Sequence, residues 1–350
     1  MNEFWQHLSD TYPDSRINRG YWQLNEQTAN GQLSTDKLQI CPLSQYGFLA
    51  IEGPDSSKFL QGQTTCDWRA ISTEQASLGS YCNIKGRMVI SFLAGMASPE
   101  SALLRLHADT ADSGRDTLGK YIVFSKAKIR NAGAERVAIG INGKMARQSL
   151  MTIFDTLPSQ AMAQVSSDNG IIVQLDEAGE RFEYWGLCAQ AIALWQQLSS
   201  TAEVCSANYW EALNISAGIG EVCANSQDMF IPQMLNYQVI GGVSFSKGCY
   251  TGQEVVARMQ YRGKLKRRLY KAEVAEAARN YPAGTELYSG DSGDSGQSIG
   301  NLVSMVNGDT SSTLLAVLTA EAVTDGNIHF ADSSAALSIE ELPYPVPSKD

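Results

Sequence analysis

Histidine is scarce in this chain. Only His7, His107 and His329 occur in 350 residues, and they are widely scattered. That scatter leaves no local Cys–His dyad and no His₂Cys₂ metal set. The seven cysteines, at 41, 66, 82, 188, 205, 223 and 249, are odd in number and never spaced C-x-x-C. The pattern predicts free thiols in a reducing cytoplasm and no metal site. Long apolar runs are missing too. Met88 to Met96 is interrupted by Ser91 and falls far short of a membrane span. The start, Met1-Asn2-Glu3-Phe4-Trp5, has neither a basic n-region nor an apolar h-region, so no secretory signal is expected. No G-x-G-x-x-G follows an expected strand, which removes support for a dinucleotide fold. The net charge of -10 argues against wholesale nucleic-acid or membrane binding but leaves room for a local basic site.

With 43% hydrophobic and 18% charged residues, the chain reads as a soluble globular protein of two or three domains. Its most informative stretch is Lys247-Gly248-Cys249-Tyr250-Thr251-Gly252-Gln253-Glu254. Thr251 and Glu254 are spaced as a capping box, which predicts a helix starting at Gly252. Cys249 then precedes the helix start, where the N-terminal dipole and Lys247 favour a thiolate. The plainer reading is a capped helix behind an ordinary buried cysteine, and it carries about half the weight on spacing alone.

Residues 1–40 are polar with isolated aromatics and read as a loosely packed extension. A strand is expected over 47–51, then a short helix after Gly53-Pro54-Asp55. The runs 77–82 and 88–93 read as a hairpin around Asn83-Ile84-Lys85-Gly86. Further on, a strand over 102–107, a helix over 109–121 and a strand over 122–129 make an α+β layer rather than a parallel doubly wound sheet. Residues 135–198 repeat this style and suggest a second, similar module. A helix over 208–217, stopped by Gly218, precedes the octet. From Val255 to Ala272 there are seven bases and no acid: Arg258, Arg262, Lys264, Lys266, Arg267, Arg268 and Lys271. They mark either a solvated edge or an anion site. From Leu269 onward short β-like runs, with a Gly/Ser/Asp loop over 289–297, predict a small barrel.

These motifs together resemble one family. The octet is followed by Ala257-Arg258 and Tyr261-Arg262-Gly263. Upstream lie Phe230-Ile231-Pro232-Gln233, Asn236, Gly53-Pro54-Asp55 and Phe59-Leu60-Gln61-Gly62-Gln63. Tyr81-Cys82-Asn83, Lys85-Gly86-Arg87-Met88, Lys120-Tyr121 and Phe124-Ser125-Lys126 complete the set. The combination, from about Gly47 to Arg268, resembles the bacterial YgfZ proteins, folate-binding relatives of the glycine-cleavage T-protein (aminomethyltransferase). The resemblance implies an α+β fold of three domains in a ring around a central folate-binding hole, the last a C-terminal β-barrel. Expected boundaries are an N-terminal extension over 1–40, a folate-binding region over 41–262 whose second module runs roughly over 131–205, and the barrel over 263–345. It implies binding of tetrahydrofolate or a one-carbon derivative. It also implies support of iron–sulfur enzymes or assembly factors, and through them of tRNA methylthiolation, by a cytoplasmic protein expected to be a monomer without membrane contact. Of two folate-contacting aromatics in the family, one matches Trp210 and the other falls at Tyr46 or its neighbour Phe48. Gln253, Glu254 and Arg258 are expected beside them, with Cys249 as the reactive thiol and Lys247 as its neighbour.

One departure bears on chemistry. Where T-proteins carry paired acids after the glycine turn, this chain has Val89-Ile90. Apolar side chains perform neither general acid nor general base work, which weighs against aminomethyl transfer. Three functions remain open: a folate-binding accessory factor for iron–sulfur proteins, a folate-dependent one-carbon transferase, and a direct tRNA-binding module. The acidic total and the lack of an aromatic-rich basic stripe weigh against the last.

Overall fold

The computed structural model describes residues 2–24, 36–275, 280–290 and 297–346. Most of the 289–297 loop falls outside them. The chain opens with helix α1 (Glu3–Thr11), capped by the Asn2 side chain, and the hairpin β1 (Ser15–Asn18) and β2 (Tyr21–Leu24). Of the segment expected to pack loosely, residues 2–24 are therefore folded onto the body, and 25–35 lie outside the described residues. Its apolar residues recur at helical spacing, so Phe4 and Leu8 are buried on one face of α1, and Trp22 is buried from β2. Phe4 meets Trp195 edge to face at 5.9 Å.

The first module runs β3 (Gln39–Pro42), β4 (Tyr46–Glu52), α2 (Ser56–Gln61), β5 (Ser77–Cys82), β6 (Met88–Ser98), β7 (Ser101–His107), α3 (Ala111–Gly119) and β8 (Lys128–Asn131). The second runs β9 (Arg136–Asn142), α4 (Ala146–Met151), β10 (Gln164–Ser167), β11 (Gly170–Gln174), β12 (Arg181–Leu187), α5 (Cys188–Leu198) and β13 (Glu203–Val204). One sheet has the order β5-β6-β7-β4-β8 and the other β10-β11-β12-β9-β3-β13. Each module therefore follows one plan, a strand, a short helix, a three-stranded meander and a helix, with β3 filling in the second sheet the place that β8 holds in the first. The two segments thus share a strand order without a clear sequence repeat. Strand β4 is buried on both faces because Leu49 and Ile51 pack under helices while Phe48 and Ala50 face the other sheet. Phe48 and Trp185 meet there at 5.7 Å.

Helix α6 (Ala207–Ser216) follows, then a long connection with short 3₁₀ turns, and helix α7 (Gln253–Tyr261). The last region comprises β14 (Arg267–Val274), β15 (Glu286–Ser289), β16 (Gly300–Asn307), β17 (Ser312–Thr319), α8 (Ala320–Asp325), β18 (Ile328–Phe330) and β19 (Leu337–Glu340). Its sheet, ordered β18-β15-β16-β17-β14-β19, curls into a half-barrel. Among the described residues no helix is long and apolar enough to cross a membrane.

Two local expectations differ from the fold. Residues 122–129 do not form one strand. Ile122–Phe124 is a 3₁₀ turn with Val123 70% and Phe124 96% exposed, and only Lys128–Asn131 joins the sheet. Apolar content alone misread a surface turn as a strand. The capping box is absent as well. Gly252 occupies the N-cap in the left-handed region (φ 80°), where no side-chain cap forms. A Cβ there would lie 2.4 Å from the Asn83 carbonyl oxygen, so glycine is required. The helix starts one residue late, and the Gln253 side chain instead accepts from the Tyr250 N–H at 3.3 Å. Thr251 donates to Gln63 Oε1 at 3.2 Å.

Candidate functional site

The octet is anchored at its lysine. Lys247 is buried, and its ammonium donates to the carbonyls of Thr64 (2.6 Å) and Cys66 (2.8 Å). Burial pulls its pKa down to about 8, against the opposing pull of Cys66 and Asp67. Lys247 therefore ties the loop to the first module through Cys66 and Thr64. It was expected beside Cys249 as an activating charge, and no contact of that kind forms. Tyr250 is buried next to it, with the ammonium 5.1 Å from the ring centre. Between these anchors Cys249 is exposed. Glu254 and Arg258 are exposed on α7, and Gln253 is half-buried.

A cavity of about 680 Å³ lies elsewhere. Tyr21, His107, Asp109, Glu211, Glu221 and Cys223 form its chemically active wall. Val303 to Asn307, from β16, and residues 280–283 complete the lining, with Ser304 beside Glu211. Elements distant in sequence supply this wall: β2, the end of β7, α6, and the connection after α6. None of Tyr46, Trp210, Lys247, Cys249, Gln253, Glu254 or Arg258 lines it.

Tyr46 and Trp210 stand behind the wall. Tyr46 is 6% exposed and donates to Glu221 Oε2 at 2.5 Å, while Asn214 Nδ2 donates to the Tyr46 hydroxyl at 2.8 Å. Arg105 lies over the Tyr46 ring, 3.9 Å from its centre, and pairs with Glu183 (3.1 Å) and Glu221 (2.5 Å). Burial works against that guanidinium's charge, but the two carboxylates outweigh it and push its pKa up. Trp210 is fully buried. Arg181 covers one side of its indole at 4.4 Å, and Gly140 approaches so closely that a Cβ would lie 2.4 Å from the ring. The indole therefore presents no accessible face.

The wall itself is strongly polarised. Burial raises the Glu211 pKa, and the neighbouring Glu221 raises it further. Tyr21 meets Glu211 Oε2 at 3.5 Å and lies 6.4 Å from the His107 ring. His107 Nδ1 and Asp109 Oδ1 are 2.7 Å apart. Burial opposes the imidazolium, but Asp109, Glu221 and Glu211 outweigh it and raise the His107 pKa. The Cys223 thiol is pushed up by burial and so stays protonated. Among the described residues no group of three His, Cys, Asp or Glu side chains could hold a metal ion.

Sequence reading missed this wall because its members sit in unrelated segments. The local signs are slight: the Tyr21-x-Gln23 alternation, His107-x-Asp109, and Glu211 directly after Trp210.

Comparison with solved structures fixes the class. The fold is that of the glycine-cleavage T-protein, as in aminomethyltransferase T from Bartonella henselae, with a TM-score of 0.73 at 15% identity over 98% of this chain and 97% of that one. No family model matches the chain. Curated relatives include tRNA-modifying protein YgfZ of Klebsiella pneumoniae, 35% identical over 313 residues, covering 88% of this chain and 93% of the relative. The Escherichia coli protein of the same name is 32% identical over 320 residues, covering 91% and 96%. The chain belongs to the YgfZ family of tRNA-modifying proteins.

Proposed function

We propose that the cavity binds tetrahydrofolate or a one-carbon derivative, and that the bound protein supports iron–sulfur enzymes or assembly factors on which tRNA modification depends. The cavity carries this reading. Its volume suits a folate-sized ligand. Its polar lining suits a pteridine: carboxylate oxygens to accept from the aminopyrimidine N–H groups, and the Tyr21 and His107 rings as flat neighbours. Both Glu221 oxygens are engaged by Arg105 and Tyr46, and Asp109 is held by His107, so Glu211 is the carboxylate we assign to the ligand. Tyr46 and Trp210 serve the site from behind, by holding Glu221 and by fixing α6, which carries Glu211. The ligand's own contribution is its one-carbon unit.

Cys249 belongs to a second surface in this proposal. Lys247 and Tyr250 hold the loop that presents the exposed thiol, with Gln253, Glu254 and Arg258 beside it on α7. A partner protein would meet the thiol there, outside the cavity. The test has two arms. Titration with tetrahydrofolate and its formyl and methylene forms should give saturable binding. Cys249→Ser should leave that binding intact while abolishing support of iron–sulfur enzymes in cells.

One observation favours transferase chemistry as a second reading. His107 and Asp109 place a proton-carrying pair in the cavity, although Val89 and Ile90 are buried in the first module's core. Turnover of methylene-tetrahydrofolate by the pure protein, lost in His107→Ala, would establish it.

A further inference from the structure

The β1–β2 hairpin brings the N-terminal segment into the cavity wall. Antiparallel pairing sets Arg16 opposite Gln23 and Asn18 opposite Tyr21. Directly opposed residues share a face of the ribbon, and side chains two apart along a strand point the same way. All four of these residues line the cavity. Trp22 points to the other face and is buried in the second module's core with Phe4 and Leu8. The back of the hairpin is thus fixed while its front faces the cavity.

Polar contacts hold it there. The Trp22 N–H donates to Ser44 Oγ at 2.5 Å and the Leu24 N–H to Ser206 Oγ at 3.1 Å. At the turn, Arg19 Nη1 donates to the Asn280 carbonyl at 3.2 Å, so the hairpin connects the modules to the C-terminal region.

Charge along this face has a direction. Tyr21 stands against Glu211 and His107. Arg16 lies two residues from Asn18, about 7 Å along the strand, and Arg19 sits in the turn. Both arginines line the cavity and are exposed, and among the described residues neither is ion-paired. An unpaired guanidinium is a forked receiver for carboxylates. The basic run Arg258 to Lys271 does not line the cavity, and its Lys271 is already paired with Glu340 at 2.9 Å.

We propose that this hairpin reads the anionic end of the ligand, with Arg16 and Arg19 receiving the carboxylates of a poly-γ-glutamyl tail. The assignment rests on the folate reading above. It gives the N-terminal segment a function, ligand selection, and it leaves the basic run Arg258 to Lys271 outside the ligand site.

The experiment is a titration of the full chain with monoglutamyl and triglutamyl tetrahydrofolate at low and high salt. The unaltered chain should bind the triglutamyl form about tenfold more tightly at low salt, as expected for added charge-assisted pairs. The advantage should shrink as salt rises. Arg16→Ala/Arg19→Ala should erase the advantage while monoglutamyl binding remains measurable. Arg258→Ala/Arg262→Ala should leave it in place. Equal binding of both forms by the unaltered chain overturns the proposal and leaves the folate reading standing. So does a preference that survives the Arg16/Arg19 change or disappears with the Arg258/Arg262 change. Binding of neither form overturns the folate reading itself. Circular dichroism and a folded melting transition confirm that each variant retains its structure.

Discussion

The Tyr46 hydroxyl donates to Glu221 Oε2 at 2.5 Å, and Arg105 donates to the other oxygen of the same carboxylate at 2.5 Å. A carboxylate on the cavity wall is thereby held from behind by two buried groups. Glu183 extends the network, accepting from Arg105 and from the Trp185 indole at 2.8 Å. Removing one member of such a network leaves charge uncompensated in a low-dielectric interior. Arg105→Met should therefore lower stability by about 3–5 kcal/mol, measured by urea unfolding. The double change Arg105→Met/Glu183→Gln should recover part of that loss.

Glu211 should make ligand binding depend on pH. Burial and Glu221 raise its pKa, so its neutral form persists to a higher pH than an ordinary carboxyl allows. The ionised form offers both oxygens as acceptors to the ligand's N–H groups, where the neutral form turns one of them into a donor. Affinity for tetrahydrofolate should fall as pH drops through the raised pKa, with proton release on binding above the usual glutamate range. Tyr21, Glu221, His107, Asn214 and Ser304 face the group and share in its titration. Calorimetry in buffers of different ionisation enthalpy measures the proton. Glu211→Gln should remove both the slope and the release.

Lys247 predicts the opposite kind of measurement, a stability gain at alkaline pH. Its folded pKa of about 8 lies below the ordinary 10.5, so between those values the unfolded chain binds more protons. Stability from this group rises with pH across that window. Lys247→Met should flatten the rise relative to the unaltered chain, read from melting temperatures between pH 7.5 and 10.

Cys249 should alkylate before every other cysteine, because it is exposed where Cys41, Cys66, Cys82, Cys188 and Cys205 are buried and Cys223 is half-buried. Burial also raises the pKa of Cys66 to about 11 and of Cys82 to about 12, which starves them of thiolate. Mass spectrometry after brief iodoacetamide treatment gives the order. Equal labelling of Cys249 and the buried cysteines would remove its claim to a distinct role.

The modules were legible in the sequence because alternation and turn chemistry act locally. Residues 77–93 formed a hairpin as expected, with the turn closed by the Gly86 N–H to the Asn83 carbonyl at 2.9 Å. The octet was legible as a motif but not as geometry. Lys247 and Thr251 bond to the Gln63–Cys66 loop, some 180 residues away, and that tertiary competition displaced the capping box. Phe124 and Val123 misled for a related reason, since they are apolar residues left on the surface. Trp210 was expected to contact folate, yet spacing carries no information that its indole is fully buried, with Arg181 over the ring and Gly140 against it. The cavity wall was invisible because Tyr21, His107, Glu211 and Glu221 meet only through packing.

The central claim is that folate occupies the cavity walled by Tyr21, His107 and Glu211. A crystal structure of the protein soaked with 5-formyltetrahydrofolate, a form stable to air, tests it most directly. The pteridine should lie against Tyr21 and His107 with its aminopyrimidine edge on Glu211. A pteridine bound at another place, or a cavity left empty at ligand concentrations that saturate the protein in solution, would contradict it.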